Sequence, residues 1–104
     1  MRCFDVVRIW IISDTHFGHE NILKFTGADG ALVRPGFRSA QHMNEVMIER
    51  WNTVVRPQDH VYHLGDVAMK KAFLTIVPHL HGHKRLVRGN HDICKTADYL
   101  KAGF

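Results

Sequence analysis

An α/β fold built on a mainly parallel sheet with flanking helices is what this sequence predicts, and three observations predict it. Three short runs read as strands: "VVRIWII" at 6–12, "HVYHL" at 60–64 and "KRLV" at 84–87. Helical patterns fill the gaps, so the order is β-α-β-α-β-α, which implies parallel strands joined by right-handed crossovers. Each run passes directly into polar residues, "SDTH", "GD" and "RGNHD". Parallel strands place all their C-terminal ends along one edge, where open α/β sheets bind ligands. The three polar motifs therefore converge there, although they are far apart in sequence.

Each element has its own warrant. "VVRIWII" is β-branched and nearly all apolar, the pattern of a strand covered on both faces. A helix is expected over 19–25, then a glycine-rich loop, "TGADGALVRPGFR". Ser39 caps an amphipathic helix whose apolar stripe is Met43, Val46, Met47, Trp51 and Val54. Pro57 bars its extension, and the second strand follows. A second helix over about 67–77 carries Phe73, Leu74 and Val77 and stops near Pro78. After the third strand a last helix covers roughly 94–102.

Composition narrows the class. A chain of 104 residues with 45% hydrophobic residues and 3 prolines is one globular domain, 1–104, able to bury a modest core. No apolar run nears the roughly 20 residues that span a bilayer, so no membrane partner is expected. Asp5 and Arg8 interrupt the region where a signal peptide would hold its apolar core. Cys3 and Cys94 form neither a metal-ligand pair nor a disulfide framework, which fits reduced thiols and a cytoplasmic location. The net charge of +4 suits an anionic partner, but the bases are scattered and not interleaved with aromatics, so nucleic acid is allowed without being indicated. Nine histidines are the sharper anomaly, because histidine is both the commonest metal ligand and the proton carrier of neutral pH.

Taken singly, each motif has an ordinary explanation as a turn or a helix cap. Taken together, they place carboxylates, an amide and histidines at three consecutive strand ends, beside glycines that let backbone approach closely. Aspartate oxygens, imidazole nitrogens and an asparagine carbonyl suit borderline divalent ions such as Mn, Fe, Co, Ni or Zn.

Asp14-x-His16, Gly65-Asp66 and Gly89-Asn90-His91-Asp92 resemble the first three motifs of the calcineurin-like metallophosphoesterases. "SDTHFGHENIL", "MIERWNTVV", "DHVYHLGDVA" and "LVRGNHD" extend the likeness to the small bacterial and phage members over nearly the whole chain. The resemblance implies the β-α-β-α-β-α half of a metallophosphoesterase-type sandwich. It also implies two divalent ions, manganese first among them, and hydrolysis of a phosphorylated small molecule or nucleotide. By that likeness Asp14 and His16 hold the first ion, Asp66 bridges both, and Asn90 binds the second and borders the substrate. His91 faces the substrate and supplies a proton to the leaving oxygen. Asp92 either orients His91 or shapes the turn, and His19 and Arg88 either contact phosphate or lie on the surface.

The family's later histidine motifs do not occur before "KAGF", which implies a domain incomplete at its C-terminus. The second ion then keeps only Asp66 and Asn90, and a truncated, non-catalytic module that binds a metal, a nucleotide or a protein partner becomes the alternative reading. His81-Gly82-His83 has the look of the absent motif. It lies before the third strand, however, at the edge opposite the site, and is expected to be loop, together with His79. Strands laid down in sequential order would leave one sheet face without helices. Self-association through that face is therefore expected.

Overall fold

The computed structural model describes residues 6–89, 92 and 94–104. Its sheet has three parallel strands in the order β1-β2-β3: β1 Ile9–Ile12, β2 His60–His63 and β3 His83–Leu86. Ile9 pairs with His60 and His60 with His83, so the strands start and stop level with one another. That register brings the three strand ends into one row. The α/β class and the parallel sheet are as the sequence predicts.

Two α-helices pack on the sheet, α1 Ala40–Val54 and α2 Thr96–Ala102. The Ser39 hydroxyl accepts the His42 N–H at 3.1 Å, the capping bond expected of it. Trp51 of α1, Leu74 and Val77 of the 71–79 segment, and Tyr99 and Ala102 of α2 share one buried cluster with Val61 of β2. Trp10, Ile12 and Leu86 join it from the same sheet face. The expected stripe shifts at its end: Val54 is exposed and Val55, just past the helix, is buried instead.

Two expected helices are 3-10 turns, Glu20–Lys24 and Lys71–His79. The second begins four residues later than expected. Residues 66–69 are held instead by backbone bonds to residues 16–17, so they are unavailable to a helix. Pro78 lies inside its last turn rather than beyond it, at a position where the N–H that proline lacks would have donated to a carbonyl one turn earlier. The last helix likewise starts at Thr96 rather than at residue 94.

The expectation that β1 is covered on both faces is corrected. Its residues alternate, Ile9 67% and Ile11 71% exposed, with Trp10 and Ile12 turned inward. Sequential strand order explains this, because right-handed crossovers between neighbours return every helix to the same face.

At the strand starts, Asp59 is fully buried and accepts the N–H groups of Arg8 and Arg56 and the indole N–H of Trp10, each at 3.0 Å. Those bonds, the Arg56 amide foremost, hold its carboxyl down at about 2. Asp59 thus ties β1 to β2 at the edge opposite the site. His81 lies at that edge too, its Nδ1 3.0 Å from the Val55 carbonyl and its own carbonyl accepting from Trp51 Nε1.

Candidate metal centre

Beyond the strands, the backbone keeps its sheet-like pairing for several residues. Asp14 N–H donates to Gly65 O at 2.9 Å, His16 N–H to Asp66 O at 3.1 Å and Phe17 N–H to Val67 O at 3.0 Å. Two loops are thereby held side by side, and the side chains of Asp14, His16 and Asp66 meet. Their ligand atoms all lie within 4.8 Å of one another. His16 Nε2 is 3.6 Å from Asp14 Oδ1 and 4.0 Å from Asp66 Oδ2.

These three residues share a second property. Asp14, His16 and Asp66 have φ of 57°, 52° and 56°, and among the described residues no other non-glycine has positive φ. Left-handed backbone costs a non-glycine residue roughly 1 kcal/mol or more, and such strain persists where the surroundings over-determine it. Among the described residues, left-handed backbone at non-glycine positions is confined to the three residues whose side chains could together ligate a cation.

Several groups hold the strained loops. Arg34, from the glycine-rich loop, donates Nη1 to the Thr15 carbonyl at 2.8 Å and Nη2 to the Asp14 carbonyl. Its guanidinium also lies against the sulfurs of Met43 and Met47. Asn44 of α1 accepts the Gly18 N–H at 2.9 Å. The Ser13 hydroxyl donates to Asp14 at 2.7 Å and, with Asp66 and His16 nearby, keeps the Asp14 carboxyl below its usual range.

Beneath the loops sits His63, 1% exposed, at the end of β2. Thr15 Oγ1 donates to Val67 O at 2.7 Å, so it accepts from His63 Nε2 at 3.0 Å, while His63 Nδ1 accepts the Gly65 N–H at 3.1 Å. This network assigns the Nε2–H tautomer of a neutral ring. Burial pushes the ring's pKa down to about 4, against the pull of the Asp92 and Asp14 charges. The unfolded ring takes up its proton near the ordinary 6.5 and the folded ring only near 4, so this ring's contribution to stability is intact above 6.5, declines as pH falls between those values, and is gone below 4. The total is about 3 kcal/mol. Urea midpoints measured from pH 7 to 4.5 should fall for the wild type and fall less for His63→Gln. Parallel curves would remove His63 as the cause.

The sequence-predicted residues divide as follows. Asp14, His16 and Asp66 come together, and His19 stands beside His16. Asp92 is 5% exposed, and its carboxylate accepts three backbone amides: Gly89 at 2.6 Å, Asp66 at 2.9 Å and Val67 at 3.1 Å. It therefore braces the β2 and β3 loops against each other. Arg88 is committed to the segment after it, donating to the carbonyls of Asp92 and Cys94 and to Thr96 Oγ1, with its guanidinium 5.2 Å over the Tyr99 ring. It is not brought to the triad. Asn90 and His91 lie outside the described residues. His79, His81 and His83 take part in no group of three metal-ligating side chains among the described residues.

The calcineurin-like phosphoesterase family model matches residues 7–103. The chain belongs to that family. Calcineurin-like phosphoesterases generally bind divalent metals in a dinuclear site, and the triad supplies a donor set for one. An uncharacterized protein of Methanocaldococcus jannaschii, MJ1445, is 40% identical over 89 residues, which are 82% of this chain and 47% of that protein. The Gene 66 protein of Mycobacterium phage L5 is 27% identical over 88 residues, 80% of this chain and 39% of that protein. The crystal structure of AQ665, a protein of unknown function from Aquifex aeolicus, superposes with a TM-score of 0.66 at 36% identity, covering 95% of this chain and 50% of that one. The chain thus spans about half the length of these relatives or less.

The residues present fit a divalent cation. Two carboxylates and an imidazole bring ligand atoms within 4.8 Å of one another, and that mixture of oxygen and nitrogen donors suits Mn, Fe, Co, Ni or Zn. Among the described residues no helix is long and apolar enough to cross a membrane.

Proposed function

We propose that this chain carries the metal site of a phosphoesterase that hydrolyses phosphate mono- or diesters of a small molecule or nucleotide. The observation that carries the reading is the convergence of Asp14, His16 and Asp66 on strained backbone at two strand ends. Bound divalent cations, manganese by preference, would supply Lewis-acid charge and an activated water for in-line displacement at phosphorus. Asp14 and His16 would hold one cation, Asp66 would be shared, and Asn90 would serve the second. Asp92 keeps the Gly65-Asp66 turn in place, and Arg34 does the same for the Asp14 loop. His91 is the proposed donor of a proton to the leaving oxygen.

The test is hydrolysis of bis-p-nitrophenyl phosphate alongside elemental analysis of bound metal. Activity should require Mn²⁺ and disappear with chelator and in Asp66→Asn. His91→Ala should retain metal but lose turnover by about 10²–10⁴-fold, the usual worth of a positioned general acid. Hydrolysis that survives both chelator and Asp66→Asn would end the metal reading. A His91→Ala protein emptied of metal would overturn the division of roles.

A further inference from the structure

His16 offers its two ring nitrogens to different neighbours. Nε2 faces the carboxylates of Asp14 and Asp66, while Nδ1 lies 3.1 Å from Nδ1 of His19. The two rings stack, with centroids 5.3 Å apart and planes inclined by 24°. His19 is fixed from two further sides. Its backbone N–H donates to the His16 carbonyl at 3.0 Å, and its ring meets Phe25 edge-on with centroids 5.6 Å apart.

Two imidazole nitrogens at hydrogen-bond distance share one proton, so one must donate and the other accept. A metal-ligating histidine is neutral: one nitrogen gives its lone pair to the cation and the other carries the hydrogen. In His16 the nitrogen that faces the carboxylates is Nε2, which leaves Nδ1 as the donor. The acceptor it meets is His19 Nδ1. We propose that His19 is a positioning residue that accepts the Nδ1–H of His16 and thereby reserves the His16 Nε2 lone pair for a divalent cation held with Asp14 and Asp66.

The assignment rests on the metal reading above and adds to it. The usual outer partner of a metal-bound histidine is a carboxylate or a backbone carbonyl, which can only accept. Here the partner is a second imidazole, which accepts at Nδ1 only as its own Nε2–H tautomer. Cation binding at the triad therefore fixes the tautomers of two rings at once. It also gives His19 a task other than the phosphate contact its sequence position suggests.

Zinc serves as the probe, because it is diamagnetic and spectroscopically quiet. Calorimetric titration should show His19→Ala binding about 10–100-fold more weakly than the wild type, the range seen when an outer partner is removed. His19→Asn should recover most of that affinity, since its Oδ1 accepts from nearly the place Nδ1 occupied. Long-range ¹⁵N–¹H spectra of the zinc-loaded wild type should report His16 as Nδ1–H and His19 as Nε2–H. Equal zinc affinity in wild type and His19→Ala would overturn the role of His19 and leave the metal reading standing. A zinc-ligated nitrogen at His19 would make it a ligand and likewise overturn its positioning role. Absence of zinc uptake by the wild type would overturn both.

Discussion

Replacing Asp92 by alanine is expected to cost about 3–5 kcal/mol of stability, with three amides losing their acceptor at up to about 1–3 kcal/mol each. The amides of Gly89, Asp66 and Val67 all point at this one carboxylate, and it lies almost wholly out of solvent. Bonds of this kind are charge-assisted, which makes them stronger than their number suggests. A loss of that size is a large share of the 5–15 kcal/mol typical of a domain, and would lower Tm by roughly 15 °C or more. Asp92→Asn separates the contributions. Oδ2 accepts from both Gly89 and Asp66, so an amide oxygen turned to that position keeps two bonds of three. Its loss should be about half that of alanine. Thermal unfolding of the three proteins checks the order, and an alanine variant within about 1 kcal/mol of wild type would show that the brace is not what holds the loops.

Gly65→Ala is the second large effect, expected near 3 kcal/mol from strain and overpacking together. Gly65 has φ of 116°, a conformation that side chains rarely adopt. A Cβ there would lie 2.7 Å from Gly89 N, 2.9 Å from Gly89 Cα and 3.0 Å from Asp92 Oδ2. Two of the three obstacles are backbone, which cannot swing aside. The β2 and β3 loops would have to separate, and Asp66 moves with them. Gly30→Ala is the matched control: its φ of 78° carries strain, but a Cβ there meets nothing within 4 Å. The control should lose about 1 kcal/mol and keep its metal affinity. Equal losses in the two variants would mean that close approach at Gly65 contributes nothing.

The parts of this architecture that a reader of the sequence can recover are those with local signals. β-branched runs mark the strands, a serine before an apolar stripe marks α1, and polar residues directly after a strand run mark the site. Asp14, His16 and Asp66 were recoverable because strand ends are fixed by strand starts, and parallel order does the rest. Arg34, Asn44, Asp59 and His63 were not. Each is a polar residue with at least one partner brought to it from a distant part of the chain by the tertiary fold, and no spacing announces that. His63 in particular reads as one of nine histidines, yet only burial against Thr15 and Gly65 makes it neutral and structural. The helix expected at 67–77 failed for a related reason. The residues from Asp66 to Met69 had a better use for their backbone groups: the Asp66 and Val67 carbonyls accept from His16 and Phe17, and the Met69 N–H donates back to Phe17. Likewise Val54 follows the helical period, but it is exposed, and Val55, just past the helix end, is buried instead. Asp92 shows the limit most clearly, since its place beside His91 in the chain suggests a catalytic partnership while its oxygens are occupied by three amides.

The continuation of backbone pairing past the strand ends also bears on when the site comes into being during folding. Asp14 and Asp66 follow separate strands, and the brace on Asp66 comes from beyond a third. The three strained residues sit on loops that are held only once β1 has paired with β2 and β3 has paired with β2. Closing those long loops is the slow part of assembling a parallel sheet. Competence to hold a cation is therefore acquired last. A chain that retains its helices but has slipped a strand keeps its helical circular dichroism and loses its metal, so cation uptake measures the completed sheet where helix content does not.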